Sequence, residues 1–310
     1  MVRIEHIKDF NLEHIFNCGQ CFRWVKEEDG SYTGVAFGKI VNMKTIQSRQ
    51  LKPIQISETE QDMIGSDAGG LDAVGLDSAG LELGGLVDLE INQANKVDFE
   101  KIWEHYLDLE RDYGIIKKRL CKTDPVMAKA VEYGYGIRIL NQDKWETIVS
   151  FLISQNNNIP RIKKCIEALC ENFGDYIGEY RGRKYYDLPK PQILSRLSID
   201  DLAGCRLGYR AKYIIESAKQ IERDGIEETF EYLNTLCGVG PKVANCVLLF
   251  SMEKADCFPI DVWVKRVMSQ LYGIDEDDTN AMLAYSEKNF GEYGGIAQQY
   301  LFYYIREGQN

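Results

Sequence analysis

Lys242 and Asp261 are the two side chains whose surroundings point most directly to chemistry. Lys242 follows the run Leu236-Cys237-Gly238-Val239-Gly240-Pro241. A helix is expected over 226–236. Pro241 suits the first position of a second helix, because its missing N–H would have no intrahelical partner there. Val243, Ala244, Val247, Leu248 and Leu249 continue that second helix as an apolar face. Helix, Gly-x-Gly turn, helix is a helix-hairpin-helix. Gly238 and Gly240 let the backbone approach a ligand closely, and the second helix aims unpaired N–H groups outward. Such an end is a phosphate site. A lysine in its first turn is a candidate nucleophile once its amine is neutral, which a positive helix end and a partly dry pocket favour. Asp261 lies about twenty residues on, after Pro259. Its carboxylate could stabilise developing positive charge, cap a helix predicted over 262–270, or do both.

Other groupings read less directly. Cys18-Gly-Gln-Cys21 has metal-ligand spacing, and His14 is near, but no second Cys/His pair stands at a matching distance. A zinc site needs one, so no metal is expected. Asn156, Asn157 and Asn158 precede a predicted helix. One asparagine suffices as a cap, so three are redundant in that role. Tyr209 and Arg210 open another predicted helix, where Tyr209 alone reads as a partly buried tyrosine. Residues 294–302 form an apolar helix carrying two amides, Gln298 and Gln299.

These groups need a scaffold, and 310 residues, 45% of them hydrophobic, allow two or three compact units. From about Val97 onward the apolar spacing is helical: 98–107, 110–120, 125–135, 144–154, 158–173, 190–196, 199–204, 209–224, then two more helices in 281–308. Residues 1–53 instead alternate short aromatic or branched runs with turns, and strands are expected near 21–25, 32–36 and 39–45. Between them Gly-Leu recurs at 70–71, 75–76, 80–81 and 85–86. Such an acidic, Gly-rich repeat is too short for a solenoid core, so an insertion in loose order is expected over 57–95. The fold class is therefore α+β, mainly α: an N-terminal β-rich domain over 1–112 and a helical domain over 113–310.

A net charge of −11 by itself argues against a nucleic-acid partner. Nine carboxylates and no Lys or Arg lie between Pro53 and Asn95, and removing those nine charges from −11 leaves −2 for the rest. Basic clusters remain at 117–122, 161–164 and 181–184. No apolar run of about 18 residues predicts a membrane helix. The N-terminal stretch has no apolar signal core, and nine cysteines without framework spacing suit reduced thiols, so a cytoplasmic, nucleoid or nuclear protein is expected rather than a secreted one.

LCGVGPKVANC and FPIDVW together closely resemble the signature of the helix-hairpin-helix DNA glycosylases with a Gly/Pro-rich loop and an aspartate, the HhH-GPD superfamily. A lysine after the hairpin resembles its bifunctional glycosylase/lyases. Gly19-Gln20-Cys21-Phe22-Arg23-Trp24 resembles the Gly-Gln-x-Phe-Arg-Trp segment of 8-oxoguanine DNA glycosylases. Asn156–Arg161 and Leu207–Tyr213 resemble two further runs of that family. The resemblance spans Phe16 to Phe302 apart from 57–95, with five motifs in order. It implies a helical body behind a twisted antiparallel sheet. It also implies that Lys242 attacks C1′, Asp261 stabilises the sugar cation, and the Gly19 carbonyl accepts from N7–H of the oxidised base. Gln298 would hold the Watson–Crick edge, with Phe302 and Cys246 on the two ring faces. Asn156 would fill the vacated stack, Arg161, Tyr209 and Arg210 would attend the orphaned cytosine, and Gly238 and Gly240 would meet the DNA backbone.

Two departures stand out. Trp263 replaces a histidine that contacts a lesion phosphate in the eukaryotic enzymes. No Cys-x₆-Cys-x₂-Cys-x₅-Cys follows Cys257, so the iron–sulfur cluster of the endonuclease III branch is not expected. The expectation is a monomeric, cofactor-free 8-oxoguanine glycosylase/lyase acting on double-stranded DNA, with the lesion opposite cytosine. Alternatives are a superfamily glycosylase for another damaged base, or a non-catalytic DNA-damage binder. Gly19 and Gln298 argue against the first, Lys242 and Asp261 against the second.

Overall fold

The computed structural model describes residues 1–47 and 85–308. Five antiparallel strands make the N-terminal sheet: β1 (Val2–Ile7), β2 (Trp24–Lys26), β3 (Tyr32–Ala36), β4 (Lys39–Gln47) and β5 (Val87–Asn92), in spatial order β1-β5-β4-β3-β2. A short helix, α1 (Leu12–Asn17), capped by Asn11, leads into the Cys18–Arg23 turn. The expected loose insertion over 57–95 is corrected at its C-terminal end. Residues 87–92 form β5, the inner strand that pairs with both β1 and β4. Leu89 and Ile91 alternate with polar residues and are fully buried, which is the period of a half-buried strand. The Gly-Leu repeat as far as residue 84 lies outside the described residues.

An irregular helical stretch covers the sheet: α2 (Lys96–Asp98), a π-helical turn over Phe99–Trp103, and α3 (Glu104–Tyr106). Trp103 and Tyr106 reach down from it onto Phe16, Trp24, Met43 and Ile91, forming one core. Trp24 stacks on Phe16 with ring centroids 4.1 Å apart.

The remaining chain is a helical body: α4 (Tyr113–Cys121), α5 (Pro125–Tyr133), α6 (Lys144–Ser154), α7 (Ile159–Phe173), α8 (Pro191–Leu194), α9 (Arg210–Asp224), α10 (Phe230–Leu233), α11 (Pro241–Ser251), α12 (Val262–Tyr272), α13 (Thr279–Asn289) and α14 (Gly294–Glu307). A hairpin unforeseen in the sequence, β6 (Tyr176–Tyr180) and β7 (Arg183–Tyr186), interrupts it after α7. The α+β, mainly α architecture matches the expectation. α6 is buried at Trp145 and throughout Thr147–Ile153 and packs against α7, α9 and α11 in a second core. None of the described helices is long and apolar enough to cross a membrane.

Polar locks join sheet and body. Buried Arg138 donates to the carbonyls of Lys8, Asp9, Asp108 and Arg111. Lys117 pairs with Asp9. Gln20 donates to the Ile15 and Arg138 carbonyls and accepts from Leu140 N–H. A buried polar group left without such partners costs about 1–3 kcal/mol, so this network fixes how the Cys18–Arg23 turn sits on the helices.

Candidate active site

Ahead of α11, one of the two glycines of the hairpin turn is required by its backbone and the other is not. Gly238 has φ +80, and a Cβ there would sit 2.3 Å from Tyr213 Cδ2, so only glycine fits. Gly240 is different. It has an ordinary backbone conformation and open space where a Cβ would stand. Gly240 offers α11 no side-chain cap, and Pro241 opens the helix. The uncapped N–H groups are available to an anion.

Lys242 is half-buried, with Nζ 4.9 Å from the Phe151 ring centroid. The Cys246 thiol lies close to it, one turn on. Burial raises the Cys246 pKa, Lys242 pulls the other way, and Asp261 is near enough to add to the rise. Lys242, Cys246 and Asp261 thus come together from α11 and the start of α12. Asp261 caps α12: one carboxylate oxygen accepts from Trp263 N and Val264 N, both at 2.9 Å. Among the described residues no group bonds its second oxygen. Trp263 is partly buried and carries Arg266 over its ring at 4.9 Å.

The Cys18–Arg23 turn meets α14 beside this cluster of expected site residues. Arg306 donates to the Asn17 carbonyl, Gln299 to that of Cys18, and Gln142 to that of Gln20. Among the described residues the Gly19 carbonyl, within that run, accepts no hydrogen bond. Gly19 has φ +84, and a Cβ on it would stand 3.2 Å from Phe302 Cε1. One turn before Phe302 on α14, Gln298 is 4% exposed and its Oε1 has no hydrogen-bond partner among the described residues. The two amides are thereby distinguished: Gln299 ties the turn to α14, and Gln298 holds an unused acceptor. Cys18 and Cys21 are both buried, donate to the Ile15 and Phe16 carbonyls, and have pKa values raised by burial, that of Cys18 to about 11. Among the described residues no group of three His, Cys, Asp or Glu side chains could hold a metal.

The three asparagines have separate positions. Asn157 donates to the Ile153 carbonyl at the end of α6, and Asn158 caps α7 through Arg161 N. Asn156 is exposed with φ +47, a left-handed conformation that asparagine tolerates better than most residues. Arg161 is exposed and makes no ion pair among the described residues. Tyr209 is 51% exposed, so the reading of it as partly buried gives way to a ring presented at the surface. Arg210, in contrast, is 4% exposed and already occupied. It donates twice to the Gln155 carbonyl, through Nε and Nη2, and once each to those of Asn156 and Leu207, and lies 4.5 Å over the Tyr209 ring. Its expected contact with an orphaned base competes with four N–H donations to protein. Sequence reasoning missed Gln155 and Arg306, whose partners lie 83 and 289 residues away. The basic clusters are also partly spent internally: Arg181 pairs with Asp29, Arg183 with Glu167, and Lys163 donates to the Trp24 carbonyl.

Two family models match the chain. Residues 2–148 match the 8-oxoguanine DNA glycosylase N-terminal domain, and residues 149–291 match the HhH-GPD superfamily base excision DNA repair proteins. The N-glycosylase/DNA lyase of Saccharomyces cerevisiae is 30% identical over 285 residues, covering 85% of this chain and 68% of that one. The N-glycosylase/DNA lyase OGG1 of Arabidopsis thaliana is 27% identical over 95% of this chain and 77% of its own. Among solved structures, MBOgg1 with a low-affinity DNA ligand is 41% identical, with TM-score 0.81 over 99% of this chain and 96% of that one. The Clostridium acetobutylicum 8-oxoguanine glycosylase/lyase, bound to double-stranded DNA with cytosine opposite 8-oxoguanine, is 36% identical. Its TM-score is 0.81 over 100% of this chain and 99% of its own.

Proposed function

We infer the reaction from one premise: the chain belongs to the HhH-GPD superfamily of base excision DNA repair proteins and begins with the N-terminal domain of its 8-oxoguanine DNA glycosylases. It is an N-glycosylase/DNA lyase that removes 8-oxoguanine from double-stranded DNA. The target C1′ is inaccessible inside a duplex, so the base must be flipped out, at a cost of a few kcal/mol. The uncapped start of α11 and the Gly238–Gly240 turn hold the backbone phosphates. Asn156 and Tyr209 occupy the vacated stack. Arg161, and Arg210 with its remaining N–H, attend the opposing cytosine.

The extruded base enters between Phe302 and Cys246. Its N7–H donates to the Gly19 carbonyl, where guanine would present a bare lone pair. Gln298 takes its Watson–Crick edge. The neutral Lys242 amine attacks C1′ as the bond to the base breaks, and the base leaves with the bonding electrons. Asp261, through the carboxylate oxygen that does not cap α12, stabilises positive charge growing on the sugar. The adduct opens to a Schiff base, and β-elimination then cleaves the strand 3′ to the lesion. No step calls for a metal or an organic cofactor.

The open Gly19 carbonyl is the observation that supports 8-oxoguanine over other damaged bases, since the neighbouring carbonyls of 17, 18 and 20 are all tied. Borohydride trapping on a duplex with one 8-oxoguanine opposite cytosine tests the whole reading. A covalent adduct that is lost in Lys242→Gln is expected, and an adduct persisting in that variant would assign the nucleophile elsewhere. We place the enzyme with the DNA, in cytoplasm, nucleoid or nucleus, acting as a monomer. We divide the chain near 112/113: most of the sheet core lies before that point and most of the helical core after it, with Cys18, Phe22 and Leu140 crossing between them.

A further inference from the structure

The loop bearing Asn156 and the phosphate-binding hairpin belong to different parts of the chain. A single hydrogen bond between side chain and backbone joins them: Gln155 Nε2 donates to the Gly238 carbonyl at 3.0 Å. It is the only hydrogen bond between residues 154–158 and 237–240 among the described residues. Gln155 is held at its other end as well. Its own carbonyl accepts from Arg210 Nε at 2.9 Å, and Arg210 Nη2 bonds the Asn156 carbonyl at 2.9 Å. Arg210 therefore grips the peptide on both sides of the left-handed Asn156.

The contacts close into a ring. Arg210 lies over Tyr209, Tyr209 meets Tyr213 edge-on at 5.5 Å, and Tyr213 lies directly beneath Gly238. Gln155 then returns from Gly238 to the loop. No part of this ring needs a ligand to form, so the surface that grips phosphate and the surface that enters the stack are joined before DNA arrives.

We propose that Gln155 is a positioning residue that couples the phosphate-anchoring hairpin to the base-extruding loop, so that hairpin engagement fixes where Asn156 and Tyr209 enter the duplex. The inference rests on the extrusion reading given above. Gln155 touches no reacting atom. Its loss leaves the Gly238 carbonyl without its partner and lets the Asn156 loop shift relative to the hairpin.

The test uses the full chain with Gln155→Ala and the near-isosteric Gln155→Glu, which replaces the donor by an acceptor. Single-turnover excision is measured on an 8-oxoguanine·cytosine duplex, together with extrusion followed by a 2-aminopurine next to the lesion. Both rates are expected to fall about tenfold, the size of one lost hydrogen bond with a stranded acceptor. Affinity for a duplex carrying an abasic-site analogue, which has no base to expel, is expected to stay within about threefold. The decisive comparison is a second duplex with a mismatch flanking the lesion. Extrusion is cheaper there, so the deficit should shrink to about twofold. Unchanged excision, an equal deficit on both duplexes, or an equal loss of abasic-site binding would each overturn the coupling. An equal deficit accompanied by much earlier melting would make Gln155 a stabilising residue only. Failure of the wild-type protein to excise at all would instead remove the glycosylase reading.

Discussion

Replacing Gly19 by alanine probes the point at which the damaged base would be told from guanine. Gly19 has φ +84, where a residue with a Cβ pays roughly 1–2 kcal/mol. The added methyl would stand 2.9 Å from Arg306 Nη1 and 3.2 Å from Phe302 Cε1. The guanidinium can swing aside, but it also donates to the Asn17 carbonyl, so moving it loosens the tie beside Gly19. Phe302 must give by a few tenths of an ångström, and it is the ring proposed to stack on the base. The Gly19 carbonyl then moves out of line with N7–H. A polar group left unpaired in a closed site costs about 1–3 kcal/mol, which corresponds to roughly ten- to hundredfold in rate. Single-turnover excision of 8-oxoguanine should fall by that factor. Affinity for an abasic-site duplex should stay within about threefold, because the proposed phosphate and orphan-base contacts lie on α7, α9 and α11. Equal excision rates would remove Gly19 from recognition. A matching loss of abasic-site affinity would mean that the substitution disturbs the protein as a whole.

Three further outcomes follow from the same geometry. Lys242→Gln should abolish base release and borohydride trapping while keeping lesion affinity within about fivefold, measured by gel shift, since the hairpin backbone is untouched. Asp261→Asn should keep the α12 cap, because an asparagine oxygen can still accept from Trp263 N and Val264 N, yet lower single-turnover excision by about 10²-fold. Asp261→Ala should add about 1 kcal/mol of destabilisation on denaturant unfolding; if Asn already matches that loss of stability at full activity, Asp261 is only a cap. Gln47 pairs directly with Val87, so replacing 48–84 with a short Gly/Ser turn should preserve folding and excision. Extending the deletion to residue 92 removes β5 and should leave insoluble protein, so soluble, active enzyme from the longer deletion would refute the place given to β5.

The residues themselves determined features whose cause is local. Gly238 in the hairpin turn, proline at the first position of α11 and aspartate ahead of α12 declare their backbone roles through φ preference and capping chemistry, which depend only on neighbours a few positions away. Most body helices were legible for the same reason, from apolar spacing; the helix expected over 199–204 is instead turns ending in a 3-10 turn at Ala203–Cys205, and that over 226–236 is cut to Phe230–Leu233. The β6–β7 hairpin had a signal that went unread. Tyr176, Ile177 and Tyr180 precede Arg181-Gly182 and Tyr185 and Tyr186 follow it, and Arg181 and Gly182 both have positive φ, as a tight hairpin turn requires. As a basic cluster, the same residues gave no hint of a strand.

Tertiary structure decided whatever depends on a distant partner. β5 follows a long Gly-rich stretch, and only pairing with β1 and β4 makes Val87–Asn92 a strand. Gln298 and Gln299 are chemically identical neighbours in a helix buried around its circumference. The Cys18 carbonyl docks on Gln299 and leaves Gln298 with an unused acceptor. The family resemblance makes Arg210 a contact of the orphaned base, yet its burial against Gln155 and Asn156 commits most of its donors to the protein. Side-chain type limits which bonds a residue can make, and the packing of segments far apart in the chain selects among them.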